Sequence, residues 1–209
     1  ISARDSALVF ESNTRGTFNL LEAMKEAGPQ YRRIIFASSC SVYGEPTSFP
    51  SGEYDSPMPV QTSLYGASKI AGEALCQAYD STYGFQSTIM RLVSQLGPGQ
   101  TRGHLPDLFS KLRQDPNRLV VMGNGQQLRS YMHVADCVEA LVKVGLNPLP
   151  AALGIFNVSN RHPWTVVQSI ECLCEELKLN PEIVYGPEGR GWVGDSPHIE
   201  PDTTRLLTT

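Results

Sequence analysis

The 209-residue sequence lacks the basic runs and the excess of positive charge that proteins bound to nucleic acid carry. Its 17 Lys and Arg residues are outnumbered by 21 Asp and Glu residues, giving a formal net charge of −4. A chain with this balance creates no positive field that would attract a phosphate backbone. We therefore expect no nucleic acid partner.

Apolar stretches long enough to cross a bilayer are also missing. Residues 1–5 do not show the charged start and apolar core of a signal peptide. Hydrophobic residues make up 41% of the chain and charged residues 18%, which is typical of a globular protein with one full core. We expect no membrane partner and a cytoplasmic location.

Cysteine is scarce, and neither cysteine nor histidine shows ligand spacing. The five cysteines are odd in number, form no C-x-x-C pair and fit reduced, mostly packed thiols: Cys40, Cys76, Cys137, Cys172 and Cys174. The four histidines are scattered, which predicts no metal site. Cys40 is the cysteine nearest to the motifs below, where a small side chain filling space at a strand end is expected.

A Tyr-x-x-x-Lys pattern, Tyr65 to Lys69, stands where a loop rich in Pro and Ser gives way to a long helical pattern. Residues four apart share a helix face, so the phenol and the ammonium become neighbours. A cation at about 4 Å, with an effective dielectric near 20, contributes about 4 kcal/mol, enough to lower a phenol pKa by about three units. Lys69 could thus make Tyr65 an acid/base group. An ordinary helix with a surface Tyr and Lys is the alternative for these residues alone.

Upstream, the apolar run Ile34 to Ala37 breaks into the small residues Ser38, Ser39, Cys40 and Ser41. Such a run predicts a buried strand of a parallel sheet. Ligands bind beyond the carboxyl ends of strands in open α/β sheets, so Ser39 would join Tyr65 and Lys69 there.

The remaining pattern alternates helices and strands. Helices are predicted at 7–27, 64–83, 105–113, 134–144 and 166–179, and strands at 34–37, 87–93, 119–122 and 155–158. Thr165 and Gln168 form a capping box before the last helix. We predict a loop at 45–63. The G-x-G-x-x-G match at 189–194 is rejected as a dinucleotide fingerprint, because Asp-Ser-Pro follows it instead of a helix.

These stretches together resemble the extended short-chain dehydrogenase/reductases, and among them the NAD-dependent sugar-nucleotide epimerases and dehydratases. The resemblance runs from end to end in the family's order and is carried by Asn13-x-x-Gly16-Thr17, Ser38–Glu45, Tyr65–Lys69, Arg91-Leu92, Gly97–Gly99, Arg129–Val134 and Gly191–Asp195. It implies an α/β fold: an NAD(P)-binding Rossmann-like parallel sheet, truncated at the N-terminus, with a small mixed α/β substrate-binding region. Residues 1–98 would form the Rossmann part. Residues 99–209 would mostly hold the sugar nucleotide, with some segments returning to the sheet.

The resemblance also implies roles for particular residues. Tyr65 would remove the proton of a sugar hydroxyl, helped by Lys69, and Ser39 would align that hydroxyl. The expected catalytic residues are Ser39, Tyr65 and Lys69; the NAD-binding residues are Asn13, Ser38, Tyr65 and Lys69; the substrate-binding residues are Ser39, Ser94, Arg129, Arg190 and Asp195. A homodimer through the helices at 7–27 and 64–83 is implied as well.

The chain departs from the family's usual pattern in three places. Ser94 stands where the family usually has Asn, and Trp192 where it often has Arg, although Arg190 could supply that charge. Cys40 and Ser41 stand where dehydratases usually carry an acidic pair. Epimerisation of a UDP-hexose at C4, through a transient keto intermediate, is therefore favoured over a dehydratase or reductase.

Two other classes of function stay open, a non-catalytic nucleotide-binding paralogue and a dimerisation module. An intact set of Ser39, Tyr65 and Lys69 argues against both. No glycine-rich fingerprint is recognised, so it would have to precede Ile1 or be absent. We accordingly expect these 209 residues to be a fragment, poorly soluble alone and unable to hold NAD with useful affinity.

Overall fold

The computed structural model describes residues 5–54, 60–147, 153–192 and 194–208. Part of the predicted loop at 45–63, Val193 of the glycine-rich match and the terminal residues 1–4 and 209 lie outside the described residues. The helices are α1 Ser6–Phe10, α2 Gly16–Ala27, α3 Leu64–Tyr83, α4 His104–Gln114, α5 Val134–Leu146, α6 Val166–Leu177 and α7 Thr204–Leu207. The strands are β1 Arg33–Ser39, β2 Gln86–Leu92, β3 Ser94–Leu96, β4 Arg118–Val121, β5 Leu128–Arg129, β6 Tyr131–His133, β7 Leu153–Val158, β8 Trp164–Thr165 and β9 Glu182–Tyr185.

A three-stranded parallel sheet in the order β1-β2-β7 forms the base of the fold. Ile35 of β1 lies beside Thr88 of β2, and Ile89 lies beside Ile155 of β7. Parallel neighbours require a crossover, which α3 provides between β1 and β2. The predicted Rossmann-like parallel sheet is confirmed. Strand β7 belongs to this sheet although it lies beyond residue 99. The division of the chain at residue 98 into a Rossmann part and a sugar-nucleotide part stays a prediction.

Helix α3 has the predicted bounds, and both ends have a local cause. The Ser63 hydroxyl caps its N-terminus by accepting a hydrogen bond from the Gly66 amide at 3.0 Å. Gly84, with φ 69°, ends it in the left-handed conformation. A Cβ at Gly72 would lie 2.4 Å from the Phe36 ring, so the helix lies directly against β1. This close packing fixes the depth of the residues at its N-terminal end.

The predicted helix at 7–27 is continuous but contains a π-helical turn, Glu11–Arg15, between α1 and α2. Leu21 is fully buried and packs with Phe36, Cys76 and Tyr79 in the core over the sheet. Hydrophobic periodicity predicts a helix here, but it does not reveal one extra residue in a turn.

A second core lies between α4, α6 and the parallel pair β4 and β9. Ile170 is buried there with Leu108, Leu112 and Leu119. The predicted capping box of α6 is present, but the helix ends at Leu177 instead of residue 179, because Lys178 adopts a left-handed conformation with φ 54°. The short strands β3, β5, β6, β8 and β9 were not predicted, since two to four residues give too little periodicity.

None of the helices in the described ranges combines the length and apolar character that a membrane crossing requires. All five cysteines are free. Cys40, Cys76 and Cys137 are buried, and the Cys40 Sγ lies 3.3 Å from the Arg91 carbonyl oxygen, as expected for a packed thiol at a strand end.

Candidate active site

Tyr65 lies in the first turn of α3, at the carboxyl end of β1. A Cβ on Gly66 would come within 2.7 Å of the Ser41 carbonyl oxygen, so the helix start touches the segment that follows the strand. The close approach brings the Ser39 side chain near the Tyr65 phenol, where it favours the phenolate. The sequence prediction that Ser39 and Tyr65 meet at this strand end agrees with their positions.

The pKa of Tyr65 is raised, because burial penalises the phenolate more than the Ser39 side chain stabilises it. Lys69 is not among the groups that shift the pKa of Tyr65 in the chain by itself, so its assistance to Tyr65 stays a prediction. The Lys69 Nζ donates to the Ala37 carbonyl oxygen at 2.9 Å and lies 5.7 Å from the Tyr65 ring centroid. Burial also lowers the pKa of Lys69.

The two adjacent serines of β1 face opposite sides, because side chains alternate along a strand. Ser39 is half-buried, and its Oγ lies 3.0 Å from the Ser41 Oγ and accepts from the Ser41 amide at 3.2 Å. Ser38 is buried, and its Oγ donates to a Glu73 carboxylate oxygen at 2.5 Å. The Ser38 side chain therefore points away from Tyr65. Binding of NAD by Ser38 stays a prediction, and only the Ser38 backbone could make that contact.

Asn13 occupies the π-helical turn and connects it to α3. Its Nδ2 donates to the Ser68 Oγ at 3.0 Å, and Ser68 donates to the Tyr65 carbonyl oxygen at 2.8 Å. π turns frequently occur at functional sites, where the extra residue redirects a side chain. Asn13 thus supports the backbone that carries Tyr65.

Arg129 and Asp195 form a buried bidentate ion pair opposite the serines. The Arg129 Nη2 lies 2.6 and 2.8 Å from the two Asp195 carboxylate oxygens, and Nη1 donates to the Ser196 carbonyl oxygen at 2.7 Å. Their exposed fractions are 8% and 2%. The guanidinium is thus already neutralised and oriented, so a phosphate would have to bind beside the carboxylate.

The other predicted substrate residues differ in position. Ser94 is exposed at the start of β3. Arg190 forms an ion pair with Glu45, and its Nη1 donates to the Asp195 carbonyl oxygen at 2.9 Å. Arg190 does not line the cavity described next, so its assignment to the substrate stays a prediction.

A cavity of about 730 Å³ joins these elements. Six of the predicted site residues line it: Asn13, Ser39, Tyr65, Ser94, Arg129 and Asp195. The volume lies within the roughly 300–1,000 Å³ usual for ligand pockets. The lining does not include Ser38, Lys69 or Arg190.

Sequence reasoning missed a buried network beneath this cavity. The Arg91 guanidinium binds the Glu73 carboxylate through Nε at 2.9 Å and Nη2 at 2.7 Å, and its Nη1 donates to the Tyr43 hydroxyl at 3.1 Å. Tyr43 in turn donates to Asn157 of β7 at 2.7 Å. Glu73 is an acidic residue on α3, whose other sheet-facing residues are small. This signal in the sequence could have revealed the buried network.

Comparison with known proteins identifies the family. The profile of the NAD dependent epimerase/dehydratase family matches residues 2–159. The dTDP-D-glucose 4,6-dehydratase of Mus musculus is 32% identical over 190 residues, which cover 89% of this chain and 51% of the relative. A crystal structure of UDP-galactose 4-epimerase is 32% identical, with a TM-score of 0.83 over 96% of this chain and 63% of that one.

A further solved structure, MoeE5 in complex with UDP-glucuronic acid and NAD, is 28% identical, with a TM-score of 0.81 over 94% of this chain and 63% of that one. This chain therefore spans less than two thirds of the length of these proteins. The predictions of the family and of NAD as its cofactor are confirmed. The chain belongs to the NAD dependent epimerase/dehydratase family.

Proposed function

We propose that the protein containing this chain uses NAD to epimerise a nucleotide sugar, with inversion of a UDP-hexose at C4 as the expected reaction. The observation that carries this proposal is the composition of the cavity wall. Among the residues that the structure describes, it offers the hydroxyl groups of Ser39 and Tyr65 for proton transfer but no free acid.

A dehydratase needs a group that protonates a departing hydroxyl. Cys40 follows Ser39, is buried, and has a pKa raised by that burial, so it is no acid near neutral pH. Asp195 is the one carboxylate among the lining residues that the structure describes, and both its oxygens are bound by Arg129. The chain is similar to a mouse dehydratase, but none of the described residues that line the cavity is a free acid that could protonate a departing hydroxyl.

The groups around the cavity fit the nicotinamide end of NAD. The Asn13 amide and the Ser39 and Tyr65 hydroxyl groups are hydrogen-bonding partners suited to a ribose and a carboxamide. Lys69 and Tyr65 would hold the ribose. When bound, NAD supplies the hydride acceptor and a positive charge.

The residues of the chain would then position the sugar and move the proton. Because burial raises its pKa, the Tyr65 phenol is protonated at neutral pH in the chain alone and can donate to a sugar carbonyl oxygen. Ser39 lies near the phenol and would hold the same sugar oxygen within reach. The opposite transfer, in which Tyr65 removes the proton of a sugar hydroxyl, requires the deprotonated form of Tyr65, the phenolate.

The test is incubation of the complete enzyme with NAD and UDP-glucose, followed by NMR of the sugar. Appearance of UDP-galactose supports the proposal. A deoxygenated keto sugar would indicate a dehydratase instead, and binding without any conversion would indicate a nucleotide-binding paralogue; either result overturns epimerisation.

We also propose a homodimer through the helices at 7–27 and 64–83. Large apolar side chains are exposed on both: Leu8, Phe10, Phe18, Leu20 and Leu64 are 44–53% exposed. A dimer would remove them from water, since burial contributes about 25 cal/mol per Å². Light scattering should show a dimer that Phe18→Asp dissociates, whereas Leu146→Asp on α5, 75% exposed, should not. A dimer that survives Phe18→Asp would contradict this interface.

A further inference from the structure

Trp192 lies where the main cavity meets a smaller one. The smaller cavity, of about 200 Å³, has apolar walls that include Leu108, Val121 and Val166. The residues that line both cavities are Ser94, Arg129, Trp192 and Asp195. A ligand that reaches from Tyr65 into the smaller cavity must therefore pass the indole ring.

The indole ring contacts the Arg129 side chain while most of its surface stays accessible. The Arg129 guanidinium lies 5.9 Å from the ring centroid, within the range of a cation–π contact. The Trp192 carbonyl oxygen accepts from the Asp195 amide at 3.0 Å. Trp192 is nevertheless 58% exposed. An accessible aromatic surface of this kind offers a face on which a flat ligand can stack.

The charges around the indole ring are already matched. Arg129 is bound by Asp195, and Arg190 by Glu45. The boundary between the cavities therefore carries no unpaired cation among its described residues, and Trp192 is the one aromatic side chain among the described residues that line both cavities. Nucleobases stack on aromatic side chains because every base has a π face.

We propose that Trp192 stacks on the nucleoside of the nucleotide sugar and so determines how tightly the nucleotide is held. This inference rests on the proposed function, because it assumes a nucleotide sugar in the main cavity. Base–aromatic stacking lost on substitution by alanine corresponds to affinity about 5-fold to about 150-fold weaker. Trp192→Ala should therefore weaken binding of uridine, UDP and UDP-glucose by similar factors in that range, and Trp192→Phe should recover most of the affinity.

This chain contains two tryptophans, Trp164 and Trp192, so a fluorescence change that persists in Trp164→Phe and disappears in Trp192→Phe reports on Trp192. Trp164 lines neither of the two cavities and serves as the matched control. Fluorescence of the complete enzyme with Trp164→Phe should change on titration with uridine, UDP and UDP-glucose alike. Calorimetry on the same samples gives the affinities.

The outcomes separate the two proposals. If calorimetry detects UDP binding while the Trp192 fluorescence and the affinity of Trp192→Ala stay unchanged, the stacking role is wrong and the proposed function stands. If Trp192→Ala weakens UDP-glucose but not uridine, the ring contacts the sugar, and nucleoside stacking is again overturned. If none of the three ligands binds the complete enzyme, the proposed function fails and the stacking role fails with it.

Discussion

Two buried arginines make the same kind of contact in different parts of the molecule. Arg91 binds Glu73 between β2 and α3, with side chains 12% and 4% exposed, and Arg129 binds Asp195, with side chains 10% and 2% exposed. The Arg91–Glu73 pair lies beneath the part of the main cavity that carries Ser39 and Tyr65, and it lines neither cavity described above. The Arg129–Asp195 pair lines both cavities. Burial and pairing alone therefore do not show which of the two arginines could meet a ligand.

The difference lies in what each guanidinium can still reach. Arg91 also binds the Tyr43 hydroxyl and the Glu53 carbonyl oxygen, so it joins a helix, a strand and the following loop. Arg129 has the Trp192 ring and open cavity beside it. We infer that Arg91 holds the strand end that carries Ser39 in place, while Arg129 meets the ligand.

The largest expected effect is on stability. Arg91→Ala would leave the Glu73 carboxylate buried without its partner, which should lower the free energy of unfolding by about 3–5 kcal/mol. Urea unfolding measures this change. The control is Arg118→Ala, whose exposed pair with Glu182 spans 3.9 Å and should contribute less than about 1 kcal/mol. Equal losses in the two variants would contradict the role assigned to Arg91.

The next effect is on turnover. Tyr65→Phe removes the proton-transferring hydroxyl and should reduce the turnover of the complete enzyme about a hundredfold or more, with the fold intact. Tyr83→Phe is the matched control, because Tyr83 lies at the other end of α3 with 39% exposure against 38% for Tyr65. Full activity in Tyr65→Phe would remove Tyr65 from the chemistry.

The smallest expected effect concerns a third arginine, Arg190. Its ion pair with Glu45 is exposed and it does not line the main cavity, so Arg190→Ala should change stability by less than about 1 kcal/mol. Affinity for UDP should stay within about twofold of the parent. A loss of about 1.5–3 kcal/mol in UDP binding would instead show that Arg190 donates a charged hydrogen bond to the phosphate.

Much of the fold could be predicted because its signals are local. Hydrophobic periodicity and the Ser63 cap define α3, and the apolar runs define β1 and β2. The π-helical turn at Asn13 and the two-residue strand at Arg129 could not be predicted, since both depend on contacts distant in sequence.

The candidate site shows the same limit. Spacing and resemblance place Ser39 near Tyr65, but they do not show which way Ser38 points or where the Lys69 ammonium finds its partner. Both depend on packing between α3 and β1, where Glu73 accepts from Ser38 and Ala37 accepts from Lys69. The pKa of Tyr65 depends on burial, which a sequence pattern does not report.

The central claim is that the Ser39 and Tyr65 side chains transfer protons, while the part of the cavity around Arg129 binds the nucleotide. Calorimetric titration of UDP into the complete enzyme and into its Arg129→Ala and Tyr65→Phe variants tests this claim most directly. We expect Arg129→Ala to lose about 1.5–3 kcal/mol of binding free energy, as for one charged hydrogen bond, and Tyr65→Phe to bind UDP within about twofold of the parent. Unchanged affinity in Arg129→Ala, or an equal loss in both variants, would contradict this division.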